Sequence, residues 1–398
     1  MKLSVCMIVK NEEKTLARCL YSIKDIADEI IFVDTGSTDK TTDIAQEFGA
    51  KVFSFIWQDN FSAARNFSLE KATGDWVLVI DADEVLSSGV GDKLKTVLSQ
   101  QKDYKAFRIL QRTYSNAPLN PNWKKVSKTN EEAKGFKGYG DVPITRVFVN
   151  NPEIRFIGEV HEDVDPSLKK LNFPITNTDI ILHHYEYEKG DDYVNKKQLH
   201  YLDLCLEKEK IQPENAKNFN DIGTIYRNYK QDTKKAEEYF KKSIKSDSNF
   251  IKAYNNLAEI HVSQNNLKQA AKILEKASKQ KQSAQTFSNL GMIYAKLEDF
   301  DKAIEAYRKA LKIDPQRPRA LSNLGVVYLK KGDEESAVRA FKHALNMDKK
   351  NISLYLQLAA LYDKRKDKEN AIKFYTYLIK MKHPQKDIFE KRIAVLNK

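Results

Sequence analysis

Long apolar runs are missing from this 398-residue sequence. No stretch approaches the ~20 residues that a membrane span needs, so no integral membrane segment is expected. Cysteine is scarce, and Cys6, Cys19 and Cys205 show neither paired nor metal-type spacing. A disulfide framework and a thiolate metal cluster are thereby excluded, and a reducing, cytoplasmic setting is expected. Arginine-rich blocks and basic stripes interleaved with aromatics are also absent. The net charge of +12 therefore does not point to nucleic acid as a partner. Its lysines alternate with acids, as in Lys234, Lys235, Glu237, Glu238, Lys241 and Lys242, the pattern of a solvated helical surface. An acidic or phosphate-bearing partner is the alternative use of the excess charge. The apolar run Ser4 to Val9 stops at once against Lys10, Asn11, Glu12 and Glu13. That is too short for a signal-peptide core and reads as a first strand.

What is present falls into two halves with different periods. Over residues 1–190, short apolar runs alternate with amphipathic segments, the pattern of an α/β sheet. Strands are expected at Leu3 to Val9, Glu29 to Val33, Lys51 to Phe55 and Trp76 to Ile80. A helix between the first two carries Leu16, Cys19, Leu20 and Ile23 at i, i+3, i+4 and i+7. A second, capped by Ser37 or Thr38, carries Ile44 and Phe48 and stops at Gly49. A third runs from Phe61 to about Thr73. Strand–helix alternation of this kind favours a mainly parallel, Rossmann-like sheet, with ligands beyond the C-terminal strand ends.

After a connecting helix over 191–211, the period lengthens across 212–398. Small residues recur at Gly223, Ala258, Gly291, Gly325 and Ala359, at steps of 35, 33, 34 and 34. Ala236, Ala270, Ala303, Ala337 and Ala371 step by 34, 33, 34 and 34, and Tyr226, His261, Tyr294, Tyr328 and Tyr362 follow the same rhythm. A 34-residue helix–turn–helix unit with a small residue at the helix contact is the tetratricopeptide pattern, here about five units of an all-α solenoid. Such arrays bind peptides and proteins; the aromatic stripe reads as core packing.

Four clusters in the first half carry candidate chemistry. Val33-Asp34-Thr35-Gly36-Ser37-Thr38-Asp39 ends strand two: Asp34 can accept from a nucleobase N–H while Gly36 permits close approach, or the group simply turns and caps a helix. Val77-Leu78-Val79-Ile80-Asp81-Ala82-Asp83-Glu84 ends a buried strand in two carboxylates, hard ligands suited to Mn²⁺ or Mg²⁺ bridging to a diphosphate. Asp59-Asn60-Phe61-Ser62-Ala63-Ala64-Arg65-Asn66 opens the third helix, with Arg65 set either toward phosphates or in a structural ion pair. Arg155 to Asp163, with Gly158, His161 and Glu162, precedes Ile180-Ile181-Leu182-His183-His184-Tyr185. These offer a general base and an imidazole metal ligand, or ordinary hydrogen-bonded side chains. Asn120 to Gly140, rich in Lys, Asn and Gly, reads as a flap over the site or a surface insertion.

Together the clusters resemble the family-2 glycosyltransferases of the GT-A fold. The opening Ser4-Val5-Cys6-Met7-Ile8-Val9-Lys10-Asn11-Glu12, the Asp34 cluster and Asp81-Ala82-Asp83 stand in that family's order and spacing. Asn60-Phe61-Ser62-x-Ala64-Arg65-Asn66 and Gly158-x-Val160-His161-Glu162 are similar to a bacterial subgroup joined to tetratricopeptide repeats, which includes the S-glycosyltransferases of bacteriocins such as sublancin. The resemblance implies a UDP-sugar donor bound by Val9, Asn11, Glu12, Asp34, Gly36, Ser37, Arg65, Asp81, Ala82 and Asp83. It implies Mn²⁺ or Mg²⁺ held by Asp83 and His184, with His183 the less favoured register. Glu162 or Asp163 would be the catalytic base, and Gly158 and His161 would face the acceptor. It also implies direct displacement with inversion, onto a peptide or protein held by the repeats. The alternatives are synthesis of cell-surface polysaccharide or glycolipid with the repeats as a recruitment scaffold, and a scaffold without catalysis. The end repeats are either capped or paired with a second chain in a homo-oligomer.

Overall fold

The computed structural model describes residues 1–100, 105–116, 123–126, 130–349, 351–381 and 383–397. The chain divides into two compact units, Met1–Leu204 and Cys205–Lys398. Among the described residues no helix is long and apolar enough to cross a membrane, and all three cysteines are buried free thiols.

The first unit runs β1 (Leu3–Val9), α1 (Leu16–Ile23), β2 (Glu29–Asp34), α2 (Thr41–Glu47), β3 (Lys51–Ser54), α3 (Phe61–Lys71), β4 (Trp76–Val79), β5 (Glu84–Leu86) and α4 (Val90–Gln100). It continues with β6 (Ala106–Ser115), β7 (Lys124–Lys125), β8 (Gly138–Val149), α5 (Asp165–Lys170) and β9 (Ile175–His184), and α6 (Asp191–Ile211) spans the boundary to the second unit. The sheet order is β3-β2-β1-β4-β8-β6-β9-β5, with β7 on β8. The strands β3, β2, β1 and β4 pair in parallel. Beyond β4 the sheet turns mixed: β8 is antiparallel to β4 and β6, β9 is parallel to β6, and β5 is antiparallel to β9.

Period two sorts the central strands between two cores. Leu3, Val5, Met7, Val9, Leu78 and Ile80 pack with Leu16, Cys19, Leu20 and Ile23 of α1. Cys6, Ile31, Val33, Val77 and Val79 join Leu69 of α3 and Leu168 of α5 on the opposite face. Burial on both faces is why these strands read as unbroken apolar runs.

Helix α2 starts later than Ser37 or Thr38 would have it. The Ser37 hydroxyl accepts from the Asn11 N–H at 3.0 Å, and the Thr38 N–H donates to Asn11 Oδ1 at 2.7 Å. Both residues are consumed tying the ends of β1 and β2 together, and the helix begins at Thr41. Within Asn120 to Gly140, residues 120–122 and 127–129 lie outside the described residues. The described part is pinned: β7 pairs with β8, Trp123 Nε1 donates to Ser115 Oγ at 3.0 Å, and Phe136 stacks on Tyr114.

The second unit is a series of helix pairs: α7 (Ala216–Asn228) with α8 (Thr233–Ser246), α9 (Ile251–Ser263) with α10 (Leu267–Gln280), and α11 (Ala284–Lys296) with α12 (Phe300–Ile313). Then follow α13 (Pro318–Lys331) with α14 (Glu334–Met347), α15 (Ile352–Lys364) with α16 (Lys368–Lys380), and a last helix α17 (Lys386–Leu396). The periodic glycines mark helix contacts. A Cβ at Gly291 would lie 2.8 Å from the Tyr307 ring, and one at Gly325 would lie 2.5 Å from that of Phe341. The turn inside each pair places one residue in the left-handed region, at Gln231, Asn265, Glu298, Gly332 and Lys366. The aromatic series packs as expected: Tyr226 stacks on Tyr239 and Tyr362 on Phe374, each at 5.7 Å.

Candidate functional site

The C-terminal ends of β1, β2 and β4 bring together most of the residues singled out in the sequence. Thr35 donates to the Val9 carbonyl through both its N–H (2.9 Å) and its hydroxyl (3.1 Å). The Asp34 carboxylate folds back on its own turn, accepting from the N–H groups of Gly36 and Ser37 at 3.1–3.2 Å. Gly36 adopts φ 105°, a conformation L side chains rarely take, with open space where a Cβ would stand. Asp34 therefore builds the turn and keeps lone pairs for a further donor.

The strand does not carry Asp81 and Asp83 forward side by side. It ends at Val79, and Asp81-Ala82-Asp83-Glu84 forms a turn closed by Glu84 N–H to Asp81 carbonyl at 3.0 Å. The turn separates the carboxylates into two neighbouring groups. Asp81 accepts from Arg65 Nη2 at 2.8 Å and Arg146 Nη2 at 2.9 Å. Burial pushes its carboxyl up, but the two guanidiniums overcome this and hold it far below the usual carboxylate range. Glu84 is fully buried, accepting from Arg146 at 3.1 Å and from the Asp81 N–H at 2.9 Å. Burial and the Asp81 charge raise its carboxyl despite Arg146.

Asp83 faces the other way. Its Oδ1 lies 3.7 Å from His184 Nε2 and its Oδ2 lies 3.2 Å from Lys189 Nζ. Burial opposes its ionisation; His184 and Lys189 more than offset that, so its carboxyl is lowered. Lys189 also pairs with Glu12, whose N–H is bonded to Thr41 Oγ1 at 2.7 Å. The register of β9 gives the two histidines different surroundings. His183 is buried with both ring nitrogens engaged, Nε2 by the Ser87 hydroxyl at 2.7 Å and Nδ1 by the Tyr114 hydroxyl at 2.9 Å. His184 instead turns Nδ1 to the Thr113 hydroxyl at 3.0 Å and its other nitrogen to Asp83.

Glu162 joins the Asp81 group through Arg65 Nε, at 2.6 Å. Its neighbour Asp163 is exposed and spends Oδ1 on the Asp165 N–H at 2.9 Å, at the start of α5. Gly158 takes φ 110° at the head of the loop, and the His161 ring meets Tyr201 of α6 edge-on at 5.9 Å. Arg65 is thus built into an ion-pair network, yet its Nη1 is buried without a hydrogen-bond partner among the described residues. Ala82, between Asp81 and Asp83 in the turn, is buried.

Sequence reading missed Arg146, Glu84 and Lys189. Glu84 was visible as the fourth residue of the Asp81 turn and Lys189 as a lysine five residues past His184. Arg146 carried no signal, since one arginine inside a strand has no pattern of its own.

Residues 4–148 match the glycosyl transferase family 2 model, and 229–290, 291–332, 318–351 and 352–382 match tetratricopeptide repeat models. The chain therefore joins a domain of glycosyl transferase family 2 to a tetratricopeptide-repeat array. It is 40% identical over 195 residues to a TPR repeat-containing protein of Synechococcus elongatus, covering 47% of this chain and 42% of that one. It is 34% identical over 170 residues to an uncharacterized glycosyltransferase of Rickettsia typhi, covering 40% and 57%. With the SPbeta prophage-derived glycosyltransferase SunS of Bacillus subtilis it shares 30% identity over 246 residues, 61% of this chain and 53% of that one. The chain spans about half the length of these curated relatives.

Proposed function

We propose that this chain is an inverting glycosyltransferase that moves a sugar from a UDP-sugar to a Ser or Thr hydroxyl or a Cys thiol of a peptide or protein held by the repeats. The observation that carries the reading is the meeting of Asp83, His184 and Lys189 at the strand ends of a family-2 domain. The orphaned Arg65 Nη1 supports it, because a buried donor left unpaired costs about 1–3 kcal/mol that an oxygen-rich ligand recovers.

The donor set suits a divalent cation. Glu12, Asp81, Asp83 and Glu162 outnumber Arg65, Arg146 and Lys189, so the cluster stays negative even if Glu84 keeps its proton. Asp83 and His184 offer one carboxylate oxygen and one imidazole nitrogen to one point, few enough protein ligands for Mn²⁺ or Mg²⁺ that also binds phosphate oxygens and water. When bound, such an ion neutralises the departing diphosphate.

The chain's own residues divide the remaining work. Asp34 and the Gly36 turn receive the uracil, Val9, Asn11 and Ser37 shape its rim, and Asp81 and Ala82 border the ribose. Arg65 holds Glu162 through Oε1, leaving Oε2 to take the acceptor proton. The acceptor enters past Gly158 and His161. As its oxygen or sulfur bonds to the anomeric carbon, the bond from that carbon to UDP breaks and its electron pair leaves on the diphosphate. The acceptor proton ends on Glu162. The resemblance to bacteriocin S-glycosyltransferases, together with the repeats, favours a peptide or protein over a polysaccharide acceptor.

The test combines three measurements. UDP-sugar hydrolysis should depend on Mn²⁺ or Mg²⁺ and vanish in Asp83→Ala. Intact-mass spectrometry should show hexose-sized additions to peptide substrates. Removing residues 212–398 should abolish peptide transfer while sparing slow donor hydrolysis. No turnover of any common UDP-sugar sinks the enzymatic reading; full transfer without the repeats sinks their role as acceptor dock.

A further inference from the structure

Lys189 places its ammonium between two carboxylates of the candidate site. It closes the short 3₁₀ turn Glu186–Lys189 after β9, and Gly190, at φ 87°, follows before α6. Its ammonium is bonded to Glu12 Oε1 and lies 3.2 Å from Asp83 Oδ2. The side chain is only 16% exposed. Glu12 follows β1 and Asp83 follows β4, so a single ammonium ties the ends of two neighbouring strands through carboxylates that would otherwise repel.

A second cation cannot settle on Asp83 while this one stays, because like charges a few ångströms apart in a partly buried site repel strongly. The lysine side chain is long and flexible and ends in a compact point charge that readily changes partners.

We infer that Lys189 is an internal counter-ion of the donor site, displaced when a divalent cation binds Asp83 and then free to bind the donor's diphosphate. This rests on the nucleotide-sugar reading above. It accounts for the tolerance of so many clustered carboxylates in the free protein, and it makes metal and donor mutually dependent. Without donor, Lys189 competes with the metal. With donor present, the released ammonium finds phosphate oxygens, and the competition becomes assistance. By linkage each ligand then tightens the other by the same factor.

The experiment uses the full chain and two variants, Lys189→Met and Lys189→Gln, with far-UV circular dichroism establishing that each is folded. Mn²⁺ binding without nucleotide is followed by electron paramagnetic resonance, and UDP binding at saturating Mn²⁺ by calorimetry. Both variants should bind Mn²⁺ alone about tenfold more tightly than the parent, and UDP about tenfold more weakly. Mn²⁺ affinity that is unchanged or weaker in the folded variants overturns the proposal, as does UDP affinity that stays unchanged. A parent chain that binds neither Mn²⁺ nor UDP removes the nucleotide-sugar reading and this inference with it.

Discussion

Glu84 and His184 are register partners across the antiparallel β5–β9 pair, and this pairing brings the residue before Glu84 to face the histidine, Asp83 Oδ1 lying 3.7 Å from His184 Nε2. The two residues are a hundred positions apart, and their approach depends on β9 lying beside β5, the three-residue edge strand. His183, one position earlier, points to the opposite face, as alternation along a strand demands.

On the proposed reading, that alternation gives His184 a binding role and His183 a structural one. His184→Ala should leave the melting temperature within a few degrees of the parent while weakening Mn²⁺ binding and lowering UDP-sugar turnover by about a hundredfold. His183→Ala should remove two hydrogen bonds of a buried imidazole and a ring stacked on Tyr114 and Tyr185, destabilising the fold by about 2–4 kcal/mol. Calorimetric melting and Mn²⁺ titration of the two variants check this; a reversed pattern would assign the metal-facing role to His183.

Glu162 and Asp163 are adjacent but differently employed. Glu162→Gln should lower transfer to a peptide by about 10²–10⁴-fold while UDP binding persists. Asp163→Asn should stay within a few-fold, because its carboxylate caps the backbone at Asp165. Single-turnover transfer rates distinguish them, and equal losses would show that both act on the acceptor.

Gly291 in the repeat array sits under the Tyr307 ring, with 2.8 Å available to a Cβ. Alanine is the better helix former by about 1 kcal/mol, but the crowding outweighs that gain in a packed contact. Gly291→Ala should lower stability by about 1–2 kcal/mol net, measured by urea unfolding followed by circular dichroism. A gain in stability would mean that the two helices part without cost.

The last helix is fastened by a bidentate pair. Arg392 Nε and Nη2 reach the Asp363 carboxylate at 2.7 and 2.6 Å, and the Tyr375 hydroxyl adds a third bond at 3.0 Å. The Arg392 hydrogen bonds, chiefly, hold the Asp363 carboxyl below its ordinary 3.8. A carboxyl lowered on folding stabilises the fold above its unfolded value and loses that contribution as pH falls through its folded one. The melting temperature of Arg392→Met should therefore lie below the parent's at pH 5–7 (a range set by ordinary carboxyl titration, about pH 5 and above) and converge with it below 3.8. A gap that persists unchanged in acid would show that the pair contributes through packing alone.

The central strands and α1 were legible because burial on one or both faces leaves a periodic trace: Leu16, Cys19, Leu20 and Ile23 are all fully buried, as their spacing required. The repeats were legible for a related reason. Each unit packs on copies of itself, so the demand for a small residue against an aromatic ring returns every 34 residues or so. Strands β5 to β9 left no such trace. Their long or short, mixed-polarity segments satisfy neighbours on several different strands, and the parallel pattern read from the first half does not continue through them.

The candidate site divides along the same line. Asp34, Asp81 and Asp83 were recognisable from local motifs, because strand ends in an α/β sheet impose short-range turn chemistry that survives in a few consecutive residues; Glu162 and His184 drew their candidate roles from the family resemblance. The sequence alone thus determined the class of the two units and the residues around the strand ends. Only the tertiary structure decided that Asp81 belongs to Arg65 and Arg146, that Asp83 belongs to His184 and Lys189, and that His183 belongs to the core. The reason is physical: charge pairing and strand register act across space between segments tens to a hundred residues apart, and neither leaves a periodic mark along the chain.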